Sequence, residues 1–166
     1  MPGTPQDMIE QFCSILPQRL TSAILEEYGL ELQPSTIQRT TQEILSLSLF
    51  WMDQAVRVTL PQELTSSLLE GISQSVRGTW TTDYELDPDE EAHFFRRMPH
   101  QHENWEKIVR QGGEPIAVLS EAVSSLEAEN IIGSEDGQNL LAVFLDLVPI
   151  EEIGEMARGI EEELAG

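Results

Sequence analysis

The sequence predicts an all-α protein: a single-domain bundle of about seven to nine helices, mostly antiparallel neighbours, with one extended connector. Three observations carry this expectation. Apolar residues recur every three or four positions along nearly the whole chain. Pro, Ser, Thr and Asp stand where such runs begin, and Gly stands where several end. The links between runs are short, which favours antiparallel neighbours. A chain of 166 residues buries roughly 70% of its unfolded surface, so one core needs neither disulfides nor a structural metal. The expected domain spans 1–166, its helical halves 1–78 and 88–166 joined by residues 79–87.

Thr4-Pro5-Gln6-Asp7 opens the first helix, with Pro at the first position, an acid in the first turn and an apolar stripe of Met8, Ile9, Phe12, Ile15 and Leu16. Pro17 restarts the chain into a second helix with Leu20, Ile24, Leu25 and Tyr28, which stops at Gly29. Ser35 and Gln38 have capping-box spacing and open a long third helix to about Val58. Its Ile37, Ile44, Trp51, Ala55 and Val58 keep helical spacing, although residues 45–49 and 56–60 also alternate as strands do; helix is the reading adopted. Thr59 and Pro61 open a fourth helix, bearing Leu64, Leu68, Leu69, Ile72 and Val76 and ending near Gly78.

Residues 79–87 are β-branched and aromatic without a helical stripe, and read as the extended connector. Asp87-Pro88-Asp89-Glu90 is the clearest helix start, running to about Met98, where Pro99 is expected to break it. A further helix with Trp105, Ile108 and Val109 then reaches Gly112-Gly113. Pro115 opens a helix with Ile116, Leu119, Val123 and Leu126 on one face. Ser134, followed by Glu135 and Asp136, opens Leu140 to Val148, which is apolar nearly all round and so expected to be the central buried helix. Pro149 begins the last helix, whose Ile150, Ile153, Ala157, Ile160 and Leu164 form a seam, read as the interface of a symmetric homodimer.

Charge narrows the function classes. Nine basic against 30 acidic residues leave a formal charge of −21, which argues against direct binding to nucleic acid or an anionic membrane surface. Residues 1–83 carry 4 basic and 10 acidic groups and residues 84–166 carry 5 and 20, so the acid is concentrated in the second half. Within it lies a basic island, residues 92–111, with Arg96, Arg97, Lys107, Arg110 and all three histidines; it is expected to pair with the acidic helices around it. The single Cys13 excludes an internal disulfide, and no apolar run approaches the roughly 20 residues of a membrane span. The first residues lack a secretory or transit signature, so the expectation is a soluble, cytoplasmic protein.

Few constellations carry chemistry. Glu90 and His93 form an E-x-x-H pair, and with His100 and His102 they are weak candidates for a metal site if the chain folds back after Pro99. The second E-x-x-H of a carboxylate-bridged centre is missing, so no metal and no cofactor is expected. Ser73 and Ser134 lie outside any nucleophile elbow, and Cys13 reads as a small core residue. Trp51 and Tyr28 read as core, whereas Trp80 and Tyr84 in the connector either fold back or, with Arg96 and Arg97, anchor a partner. The function expected is non-enzymatic: an acidic helical adaptor, chaperone or inhibitor that binds a basic protein partner. The alternatives are a metal-binding helical protein using Glu90, His93, His100 and His102, and a DNA mimic that occupies a nucleic-acid-binding protein.

Overall fold

Local chemistry sets the first helix. Asp7 N–H donates to Thr4 Oγ1 (3.2 Å) and Thr4 N–H donates to Asp7 Oδ2 (2.9 Å), a reciprocal box that satisfies two exposed backbone donors and starts α1 (Pro5–Ser14). The computed structural model describes residues 3–166 and carries α1 into α2 (Ser22–Glu27), α3 (Pro34–Thr59), α4 (Gln62–Thr79), α5 (Glu91–Arg110), α6 (Pro115–Ala128), α7 (Gly137–Leu147) and α8 (Ile150–Ala165). Single 3-10 turns, Pro88–Glu90 and Ser134–Asp136, precede α5 and α7; among the described residues there is no strand. The protein is an all-α bundle.

Several boundaries differ from expectation for identifiable reasons. α2 begins at Ser22, not at Pro17, because Thr21 Oγ1 accepts the Ile24 N–H and supplies the cap. α3 starts on Pro34, whose fixed φ suits the first position; the Ser35–Gln38 box is not formed. Residues 45–49 and 56–60, which could alternate as strands, lie in the single 26-residue α3 up to Thr59. Ser48 Oγ there donates to the Ile44 carbonyl (2.7 Å), as helical serines do.

Pro99 does not break α5, which continues for 20 residues through it. Both ends of α5 are held by burial, Phe94 on one side of the proline and Trp105 on the other, and this outweighs the local cost. Pro99 itself is exposed, so Pro99→Ala restores a backbone donor and removes a clash without emptying the core. It is expected to stabilise the protein by about 1–3 kcal/mol, read from the shift in a urea melt. Gly112, at φ 84°, ends α5, and Gly113 N–H returns to the Ile108 carbonyl (2.9 Å).

α3, not α7, is the central helix: every residue from Thr40 to Phe50 is buried, whereas Leu145 of α7 is 48% exposed. Two apolar faces of α3 enter two cores. Leu45, Leu49, Met52 and Val56 pack with α1, α4, Phe94 and α8; Ile44, Leu47 and Phe50 pack with α2, Trp105, α6 and α7. Each core therefore draws residues from both halves of the chain. α8 lies along α3 and touches α1, so Ile153, Ala157 and Ile160 are covered within the chain's own bundle. These three seam residues need no second chain to cover them, whereas Ile150 is half-buried against the second core and Leu164 at 40% exposure stands outside both. Covering a stripe inside the bundle satisfies the same hydrophobic requirement that a second chain would.

Candidate functional site

The connector turns back on itself. Asp83 N–H donates to Thr79 O (2.9 Å), Leu86 N–H to Trp80 O (3.1 Å), and Glu85 adopts φ 49° between them. Trp80 and Tyr84 are thereby drawn into the first core at 1% and 8% exposure, and the Trp80 Nε1–H donates to the Asp87 carbonyl (2.8 Å). Phe94 lies 5.1 Å from the Trp80 ring, centroid to centroid. These two aromatics are core residues and present no anchor at the surface. Trp105 is also core at 3%, while Trp51 and Tyr28 are only half-buried, the Tyr28 hydroxyl donating to Asp146 Oδ2 (2.7 Å). Cys13 is half-buried as well, its thiol pushed up by burial.

An unbroken α5 also separates the histidines. At 100° per residue His93 and His100 share one exposed side about 10 Å apart along the axis, and His102 points the other way, into the bundle. Glu90 belongs to the preceding 3-10 turn. The four candidates thus do not meet, and among the described residues no three His, Cys, Asp or Glu side chains gather as a metal site would require. The fold-back after Pro99 on which that site depended does not occur.

The basic island divides along the same helix. Lys107 and Arg110 pair with Glu103 and Glu106 of α5 itself, one turn away, and not with the surrounding acidic helices. Arg96 is exposed, its Nη2 3.3 Å from His93 Nδ1. Arg97 turns inward, donating to Gln42 Oε1 (2.9 Å).

That contact belongs to a polar layer between α3 and α5 that sequence reading missed. Arg39, Gln42, Glu43, Ser46 and Asp53 fall on one side of α3, between its two apolar faces. Glu43 is 1% exposed and accepts from Gln101 Nε2 at both carboxylate oxygens (3.2 Å each); Ser46 Oγ donates to Gln101 Oε1 (2.7 Å). His102 Nε2 lies 3.0 Å from the Ser46 carbonyl, and because a carbonyl only accepts, Nε2 carries the proton. Burial raises the Glu43 carboxyl to about 7, against the opposing pull of Arg39, Gln101 and Arg97. Burial also lowers His102 to about 4. Arg39 and Arg97 each keep a buried Nε without a partner, a cost that a fully paired layer would not carry. Glu43 and Ser46 at its centre are buried between the two cores, so the arrangement serves registry between α3 and α5; Arg39 and Asp53 at its ends reach the surface in part.

The surface chemistry lies elsewhere. α1, α4 and α8 present ten exposed carboxylates, Asp7, Glu10, Glu63, Glu70 and six glutamates of α8, against two arginines, Arg77 and Arg158. Among the described residues none of the ten forms an ion pair; Arg77 pairs instead with Glu91 of α5 (3.3 Å). Asp7, Glu10 and Glu163 line one shallow groove, and Glu10 continues into a second with Glu70 between α1 and α4. A scan against protein-family models finds no match for the chain, and searches of curated proteins and of solved structures find no significantly similar protein.

Proposed function

We propose that the protein is a non-enzymatic, acidic helical interaction protein, an adaptor, chaperone or inhibitor, that binds a basic protein partner through the α1–α4–α8 face. The supporting observation is the concentration there of ten exposed carboxylates without ion-pair partners among the described residues. A surface dense in carboxylates makes a field that steers a cationic surface into contact, with strong salt dependence. Direct binding to nucleic acid or to anionic lipid is opposed by the same field, and the reading places the protein in the cytoplasm, where its one cysteine stays reduced.

Two triple variants with the same change in net charge, placed on different faces, test the proposal. Glu151, Glu155 and Glu162 changed together to Lys on α8 should weaken capture of the native partner by about tenfold or more. The same three changes at Glu114, Glu121 and Glu135, which sit around α6 and the turn before α7, should leave capture close to wild type. Equal losses from both variants would reduce the effect to net charge and remove the assigned face. Displacement of the captured protein by duplex DNA would move the reading to the DNA mimic.

A further inference from the structure

On the opposite side of α4 from the carboxylates, a cleft of about 300 Å3 opens between α3, α4 and α5. Its floor is apolar: Leu49, Met52 and Ile72 are buried there, and Met98 with Pro99 forms the α5 wall. The volume is at the small end of the range for sites that take small organic molecules. Two methionines give the walls a deformable, polarisable lining that suits an aryl ring.

Four polar side chains line the same cleft: the Arg57 cation, which is held by Asp53, and three groups that each keep an unused lone pair. Asp53 Oδ1 accepts from Arg57 Nε–H, and Oδ2 has no hydrogen bond among the described residues. His102 spends its Nε2 proton on the Ser46 carbonyl, so Nδ1 presents a bare acceptor. Ser73 Oγ makes no hydrogen bond among the described residues either. A carboxylate and a neutral imidazole nitrogen together are complementary to a cation with several N–H donors. Burial keeps the imidazole neutral, so it does not compete with such a cation for Asp53. A ligand carboxylate would meet the unpaired Oδ2 of Asp53 while Arg57 stays engaged at Oδ1, and an alcohol has one proton to give where an ammonium has three.

We propose that this cleft binds a small arylalkyl primary amine, its ring against Leu49, Met52 and Ile72 and its ammonium group donating to Asp53 and His102. The site does not depend on the partner-binding face: it uses different residues and a ligand of a different class.

Methyl-resolved NMR of the full chain tests it with three probes on a common phenylethyl frame, 2-phenylethylamine, 2-phenylethanol and 3-phenylpropanoate. The amine is expected to shift the Met52, Met98 and Ile72 methyls saturably, the alcohol to bind about fivefold more weakly, and the carboxylate not at all. Asp53→Asn should erase the preference of amine over alcohol while the alcohol still binds. Ser73→Phe should fill the mouth and abolish both, with the melting curve of each variant checking its fold; should the second variant fail to fold, the first still decides. No saturation by the amine at about 10 mM, shifts confined to the acidic face, or equal affinity for amine and alcohol in the wild type would overturn the proposal.

Discussion

Replacing Ile153 and Ile160 together by Asp is expected to unfold the protein, with loss of its helical circular-dichroism signal at neutral pH and 25 °C. Both side chains are nearly inaccessible, at 1% and 3%, and stand on either side of the fully buried Ala157 where α8 meets α3. Each change removes the burial of a large aliphatic group and leaves a carboxylate in an apolar site. Together they cost on the order of 10 kcal/mol, comparable with the whole stability of an ordinary domain. Leu164→Asp, on the same helix but 40% exposed, should shift stability by no more than about 0.5 kcal/mol. A double variant that stayed helical and merely lost mass in light scattering would restore the stripe to an interface between chains.

Stability as a function of pH should show two opposed contributions from the polar layer. The Glu43 carboxyl sits near 7 when folded against an ordinary 4.5, because burial disfavours its charge. Its folded pKa is the higher of the two, so its stabilising share is complete below 4.5 and is lost as pH rises to 7. His102 sits near 4 against an ordinary 6.5, again through burial; with the folded pKa lower, its share is complete above 6.5 and is lost as pH falls to 4. Each contribution is worth about 3 kcal/mol over its window. Because the windows overlap and the signs oppose, the pair should leave the wild-type profile nearly flat between pH 4.5 and 6.5. Glu43→Gln removes one arm: the variant should gain about 2 kcal/mol at pH 8 and then lose stability on acidification. His102→Gln removes the other and should gain stability on acidification. Chemical denaturation at five or six pH values decides the matter, and two variants with slopes of the same sign would contradict the assignment. Relief of repulsion among the exposed carboxylates acts on all three proteins alike and cancels in the comparison.

The fold class was legible because helical periodicity and proline starts are local signals, and α4, α6 and the α8 stripe follow them closely. Pro99 misled because its local cost is real but is outweighed by Phe94 and Trp105, burial that no local pattern reports. Trp80 and Tyr84 lacked a helical stripe, and their burial depends on a turn closed by hydrogen bonds seven and fewer residues long. The polar layer left a faint trace. Arg39, Gln42, Ser46 and Asp53 recur at helical spacing inside an otherwise apolar stretch, and Arg97 and Gln101 repeat it on α5. What could not be read was that the two stripes face each other, since that is a matter of packing between helices distant in sequence. The histidine cluster failed for the complementary reason: its members are close in sequence, but an intact helix turns them apart.

The position of α3 between two cores also bears on how the protein is made. Its buried stretch, residues 40–50, leaves the ribosome early, whereas the core on one of its faces is closed only by Ile153, Ala157 and Ile160 of α8. The second core likewise waits for α6 and α7. A nascent chain that has delivered α1 to α4 therefore holds the most deeply buried stretch of the protein with both covering layers incomplete. The interval between synthesis of α3 and arrival of α8 is when this chain is most exposed to aggregation and most in need of a holding chaperone.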